Sequence, residues 1–365
     1  MVGDNESMIQ TPNDPALEIL CGKLASSAEV ADHTWPAEQL QLCAQQGVLR
    51  WFLTEEQGGL GWSEADLLRG YLKLSAACLT TTFILTQATG ALKRLAAAGS
   101  AELCDAWLPQ LLSGEKFCTL GISHLTTSRR HLGTPALTAR RAETDDPQSD
   151  FILDGYSAWV TGAPHADLIV LGAQLEDGLQ MLAALPTDLP GVTTDPPARL
   201  VGLSGSDTGP VRLASVVVSN RHVLAEPQPN VMQGATGAKT GGLQTSALAI
   251  GLSGAAIKLL ETEATRRGEL GGAADGLRGE QQQLTDNLLA LAEGREPCGA
   301  DELRASANSL ALRSTQAALA AAKGAGYAEG HPAGRWCRQA LFFLVWSCPA
   351  PVMAANLCEL AGIGE

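Results

Sequence analysis

The sequence predicts an α+β protein, mainly helical, with an N-terminal helical domain over residues 1–116, a central antiparallel β-barrel-like domain over 117–235 and a C-terminal four-helix bundle over 236–365. Two observations carry this reading. Alanine is abundant and aromatics are only 4% of the 365 residues, a balance that favours helices over sandwiches. Apolar spacing is helical from Pro15 to Ala97, shifts to short β-branched or alternating runs between Phe117 and Val218, and returns to long Ala/Leu-rich helices from Gly241.

In order, residues 1–14 read as a loose polar arm. Three to five helices follow, with breaks at Trp35-Pro36 and at the loop Gly58 to Trp62, after which Ser63, Glu64 and Asp66 supply a cap and first-turn acids. Strands are expected at Ala136–Arg140, Phe151–Leu153, Leu168–Gly172, Met181–Leu185 and Val211–Val218, each bounded by Gly, Pro or Asp. Breakers near Gly268, Gly294 and Gly324 cut the C-terminal third into about four helices, enough for a bundle.

Composition narrows function. A 45% hydrophobic content over this length fills one large core or two to three small ones and implies a soluble protein. A formal charge of −14 argues against nucleic acid or an anionic membrane as partner. The nine cysteines show no CxxC and no Cys/His ligand spacing, so they read as reduced thiols of a cytoplasmic protein. The N-terminus has no basic region followed by an apolar run, so no signal peptide is visible, and no uncharged run approaches a membrane span.

The most informative stretch runs from Lys323 to Pro351. Gly324 and Gly326 let backbone approach a partner, Arg335 and Arg338 share a helical face, and an apolar run from Trp336 to Trp346 reads as a buried helix that stops at Ser347-Cys348-Pro349. The order Gly324, Gly326, Tyr327, Pro332, Arg335, Arg338, Ala340 resembles the closing signature of the acyl-CoA dehydrogenase family. Further resemblances are the Gly58-Gly59-Leu60 loop, Trp107-Leu108-Pro109, Trp159-Val160-Thr161-Gly162, and Gly205-Ser206-Asp207-Thr208. Together they span roughly residues 30 to 365 in family order.

That resemblance implies the family's fold, FAD held between the β domain and the bundle, and an acyl-CoA or other acyl thioester as substrate. Trp159, Val160 and Thr161 match the strand beside the flavin. Ser123, Thr126, Thr127 and Ser128 replace the family's Thr-Glu-Pro and Gly-Ser segment; Arg266 or Arg267 fits the arginine that a neighbouring subunit lends to the far end of FAD, and Gly324 and Gly326 match the Gly-rich motif. Ala320 and Lys323 replace a glutamine and a glycine of the Gly-rich motif, which weakens the implied FAD grip and leaves FMN open. The family's catalytic glutamate is replaced by Ser347, and its alternative position by Gln244, so no catalytic residue is identified. Metal binding by His124 and His131 lacks companion ligands. Three readings follow: an acyl-CoA dehydrogenase-like flavoprotein oxidoreductase with altered activity in fatty acid metabolism, a monooxygenase-type relative, or a non-catalytic scaffold. A homodimer or homotetramer through the bundle is expected from its apolar helices.

Overall fold

Asp14 caps the first helix, α1 (Pro15–Ser26): its side chain accepts from the Ala16 amide at 3.0 Å, and Pro15 occupies the first turn, where no amide hydrogen is required. The computed structural model describes residues 8–98, 100–126, 135–143, 146, 148–233 and 242–363. From residue 8 onward the expected loose arm is docked instead. Ile9 is fully buried, its amide donates to the Gln46 carbonyl at 3.1 Å, and the Trp62 indole donates to the Gln10 carbonyl at 2.9 Å. One apolar side chain and two hydrogen bonds outweigh the polar composition around them.

The break at Trp35-Pro36 separates α2 (Ala28–His33) from α3 (Ala37–Gln45), and Ser63 caps α4 (Glu64–Ala77) by accepting from the Asp66 amide at 3.2 Å. Next come α5 (Leu79–Ala97) and α6 (Ala101–Leu112). Helix α5 is buried nearly all round although it carries five threonines. Burial costs little because Thr82, Thr86 and Thr89 donate to the Cys78, Phe83 and Leu85 carbonyls at 2.8, 2.6 and 2.8 Å.

The strands are β1 (Cys118–Gly121), β2 (Leu137–Arg141), β3 (Phe151–Val160), β4 (Leu168–Gln174), β5 (Gln180–Pro186), β6 (Val192–Thr194), β7 (Gly209–Val218) and β8 (Val223–Gln228), with a one-turn helix α7 (Ser123–Thr126) after β1. They form one sheet in the order β6-β7-β3-β2-β4-β5-β8. Most pairs are antiparallel as expected, but β1 runs parallel to β4, from Cys118 opposite Leu168 to Gly121 opposite Leu171. Helix α5 packs against β1. A strand covered on both faces shows no alternation, which is why its four residues escape pattern reading.

The C-terminal helices are α8 (Leu243–Ala264), α9 (Gly271–Ala292), α10 (Ala300–Gly326), α11 (Pro332–Ala340) and α12 (Ala350–Leu360). Helix α8 is long and apolar enough to cross a membrane, but 67% of its apolar window is buried, and it packs against α4, α9 and α10. A Cβ at Gly251 would stand 2.5 Å from the Leu72 carbonyl oxygen, so glycine permits the close approach of α4 and α8. Ser75 of α4 then donates to the Leu248 carbonyl at 2.6 Å.

The apolar run from Trp336 does not continue as one buried helix. Helix α11 ends at Ala340, a tight turn covers Leu341–Leu344, and Leu341 and Val345 are 47% and 77% exposed. The reason lies on α10: Asn308 donates to the Phe343 carbonyl at 3.1 Å and Arg304 to the Trp346 carbonyl at 3.0 Å. Those are the acceptors that a continued helix would use, and Pro349 supplies no amide to resume it.

Four separate parts of the chain meet at Asp32 of α2, which is 1% exposed. Its Oδ1 accepts from the Leu203 amide (2.8 Å), the Gln339 side chain (2.9 Å) and Thr80 (3.4 Å), while Oδ2 lies 3.4 Å from Arg338. Beside it Glu29 pairs with the nearly buried Arg335 at 2.7 Å. A Cβ at Gly205 would meet the Ala31 and Thr34 carbonyl oxygens at 2.2 and 2.4 Å, so only glycine lets the loop after β6 reach α2. Replacing Asp32 with Ala leaves buried donors unpaired, and the expected loss is about 3–5 kcal/mol in denaturant unfolding. Asp32→Asn should lose less, because its amide oxygen still accepts from Leu203. An Asp32→Ala loss under about 1 kcal/mol contradicts this role.

Candidate active site

The cleft side of the sheet is built at the end of β3. Trp159 is 51% exposed, presenting a flat indole, whereas Val160 is buried in the sheet core and offers only its backbone. Thr161 is buried, and its hydroxyl accepts from Thr208 at 3.3 Å. The Gly162 amide donates to the Ser206 carbonyl at 2.8 Å, tying the turn after β3 to the loop that precedes β7. His165 pairs with Asp207 at 2.7 Å and stacks on Trp35 at 4.2 Å, which fastens the same corner to the N-terminal helices.

Helix α7 packs against β3 and β4, so Ser123 sits with the strand that carries Trp159. His124 holds this placement by donating from Nε2 to the Gly172 carbonyl at 2.8 Å. Burial lowers its pKa from the usual histidine value, so it is a neutral imidazole near pH 7. The side chain of Thr126, and Thr127 and Ser128 with Arg129, Arg130 and His131, lie outside the described residues.

The turn after α11 carries Ser347. Ser347 is half-buried with φ 45°, a left-handed conformation, and no carboxylate precedes or follows it directly. The turn is seated by aromatics: Phe342 and Trp346 stack at 5.1 Å, and Phe83 of α5 meets them edge-on at 4.8 and 5.1 Å. Arg304, 3% exposed, grips the Trp346 carbonyl, with Nε and one terminal nitrogen making no hydrogen bond among the described residues. Burial pulls its pKa down to about 10, still well above neutrality, so the charge held against this turn is a cation. Burial raises the Cys348 thiol; Arg304 opposes that and Asp301, in the exposed first turn of α10, adds to it. Gln244 is exposed in the first turn of α8. Arg304 and Asp301 escape sequence reading because they come from a distant helix. The one clue is an arginine among the buried positions Leu303, Ala307 and Leu310.

At the far end, Arg267 bonds Glu263 at 2.6 Å and also the Ala321 carbonyl, so it braces α8 against α10. Gly324 is exposed and Gly326 buried, with Tyr327 beyond them 86% exposed. Lys323 breaks the helical path at φ 55°, ψ −146°.

The profile "Acyl-CoA dehydrogenase, N-terminal domain" matches residues 14–115. The chain is 24% identical over 283 residues to "Probable acyl-CoA dehydrogenase YngJ" of Bacillus subtilis, covering 75% of this chain and 73% of that one. It is 26% identical over 271 residues to the human "Short-chain specific acyl-CoA dehydrogenase, mitochondrial", covering 72% of this chain but only 64% of the human one. In three dimensions it superposes on a glutaryl-CoA dehydrogenase from Mycobacterium smegmatis, solved with FADH2, at a TM-score of 0.76 and 17% identity over 96% of both chains. Residues 14–115 thus match the N-terminal domain of the acyl-CoA dehydrogenase family, most of the chain is similar in sequence to acyl-CoA dehydrogenases, and the fold is the one those enzymes share.

A flavin ring suits the residues present: an exposed indole gives it an apolar wall, and Thr161, two residues on, carries a hydroxyl. The far end differs in one measurable way. Lys323 occupies a backbone region that is almost exclusively glycine's, at a cost of about 1–3 kcal/mol. Lys323→Gly should therefore raise stability by about 1 kcal/mol in denaturant unfolding. An unchanged or lower midpoint contradicts strain at this site.

Proposed function

We propose that this chain is a flavin-binding oxidoreductase, holding FAD in the cleft between the sheet and the bundle, in which Ser347 has replaced the family's base. The supporting observation is the left-handed turn at Ser347, held by a cationic side chain and walled by aromatics, with no carboxylate at position 347 or on either neighbour. Bound flavin supplies the hydride acceptor. The chain's own residues supply an aromatic wall (Trp159), hydroxyls (Thr161 and Ser123) and an apolar, water-poor end of the cleft (Phe83, Phe342, Trp346). What they lack is a group at position 347 able to take a proton from carbon, because a serine hydroxyl is too weak a base without an activating neighbour.

An acyl thioester such as acyl-CoA is the substrate class this reading favours, by analogy with the family. Nine free cysteines among the described residues support a reducing, cytoplasmic setting. Met353, Leu357 and Leu360 form an exposed stripe at helical spacing on α12, which supports a homodimer or homotetramer. Light scattering should give at least twice the single-chain mass of 38.0 kDa; the single-chain mass in dilute solution contradicts assembly.

The reaction itself is tested with an acyl-CoA panel and an artificial electron acceptor. Loss of a positioned base costs about 10²- to 10⁴-fold, so wild-type turnover should be slow by that factor against a family member run in parallel, and Ser347→Glu should gain activity. Brisk wild-type turnover overturns the proposal. In that event Asp301→Asn shows whether the carboxylate at the start of α10 is the working base.

A further inference from the structure

Three hydroxyls at the end of β3 form a chain whose direction can be read. Thr208 donates to Thr161 at 3.3 Å, which spends the single hydroxyl hydrogen of Thr208. Ser206 and Thr208 lie 2.8 Å apart, and with the hydrogen of Thr208 already committed, Ser206 is the donor of that pair. The order is Ser206 to Thr208 to Thr161. Ser206 is fully buried, Thr208 and Thr161 nearly so at 6% and 4%, and no other side-chain hydrogen bond is made by Thr161 among the described residues. One of its two lone pairs is occupied, and its own hydrogen is left to point away from Thr208.

We propose that Ser206 and Thr208 are positioning residues that fix Thr161 as a hydrogen-bond donor to the flavin ring, so that the site favours the oxidised ring over the reduced one. The proposal rests on the flavin reading above. Ser206 and Thr208 act only through Thr161. A hydroxyl free to rotate can donate or accept in any direction; one that already accepts from Thr208 has its hydrogen turned away from that neighbour and is strengthened as a donor by the Ser206–Thr208 bond behind it. A donor matches a ring nitrogen that accepts when oxidised and loses its partner once reduction places a hydrogen on that nitrogen. The backbone keeps the three together, since the Gly162 amide binds the Ser206 carbonyl immediately beside them.

The experiment uses the full chain titrated with FAD and with FMN, followed by flavin fluorescence, together with the midpoint potential of the bound flavin. Thr208→Val should weaken binding of oxidised flavin about fivefold, the worth of one net hydrogen bond, and raise the midpoint potential. Ser206→Ala should shift both readings in the same direction by less, and Thr208→Ser, which restores a hydroxyl, should return both to wild type. In a Thr161→Val background Thr208→Val should have no further effect. Thermal unfolding of each variant separates a folding defect from a site effect, and a folding defect in Thr208→Val leaves Ser206→Ala to decide. Wild-type affinity and potential in well-folded Thr208→Val, or an undiminished effect in the Thr161→Val background, overturn the hydroxyl chain alone. A wild type that takes up neither FAD nor FMN overturns the flavin reading, and this proposal with it.

Discussion

The Asp32 carboxylate is where the architecture closes. It is a buried anion, and burying one is expensive unless every lone pair finds a donor. Here the donors come from α5, the loop before β7 and α11, so the helices, the sheet and the bundle must all be in place before the cost is met. Two consequences reach the cleft. The loop pinned at Leu203 continues within a few residues to Ser206 and Thr208, which set the Thr161 hydroxyl. The helix pinned at Gln339 continues to the turn that presents Ser347. One carboxylate thus ties down both the loop that carries Ser206 and Thr208 and the helix that leads to Ser347, although it takes no part in either.

Much of this was legible in the residues. The change of apolar period marks out the helical and strand regions, Ser63 announces its helix, and Arg335 and Arg338 stand on one helical face. Their partners were not legible, because Glu29 and Asp32 lie about three hundred positions earlier in an ordinary acidic helix. The same limit explains the broken fourth helix of the bundle. Its apolar run satisfies a helical pattern, yet Asn308 and Arg304 capture the carbonyls that the pattern would use. Strand β1 was missed for a different reason: four residues buried on both sides carry no alternation. The arm before α1 was misjudged because a single buried isoleucine decides its position.

At the candidate site, Trp159, Thr161 and Ser123 are singled out by local motifs, and Ser347 by counting along one. Arg304 is not, and Ser206 and Thr208 stand out only as part of a resembling segment without a role, since each acts through contacts between elements. The resulting cleft departs from its family unevenly. The end of β3 carries an exposed aromatic and a buried hydroxyl, Lys323 has a glycine's backbone geometry, and the turn at Ser347 is held by a cation and aromatics. That combination is what the proposed function rests on: a flavin site without a base at position 347.

The most direct measurement of this claim is the visible spectrum of the flavin-reconstituted protein before and after anaerobic addition of acyl-CoA, with no electron acceptor present. A retained flavin band that persists over the time in which a family member is bleached is the predicted result. A protein that stays colourless in excess FAD, or a flavin band that bleaches at once on mixing with acyl-CoA, contradicts it.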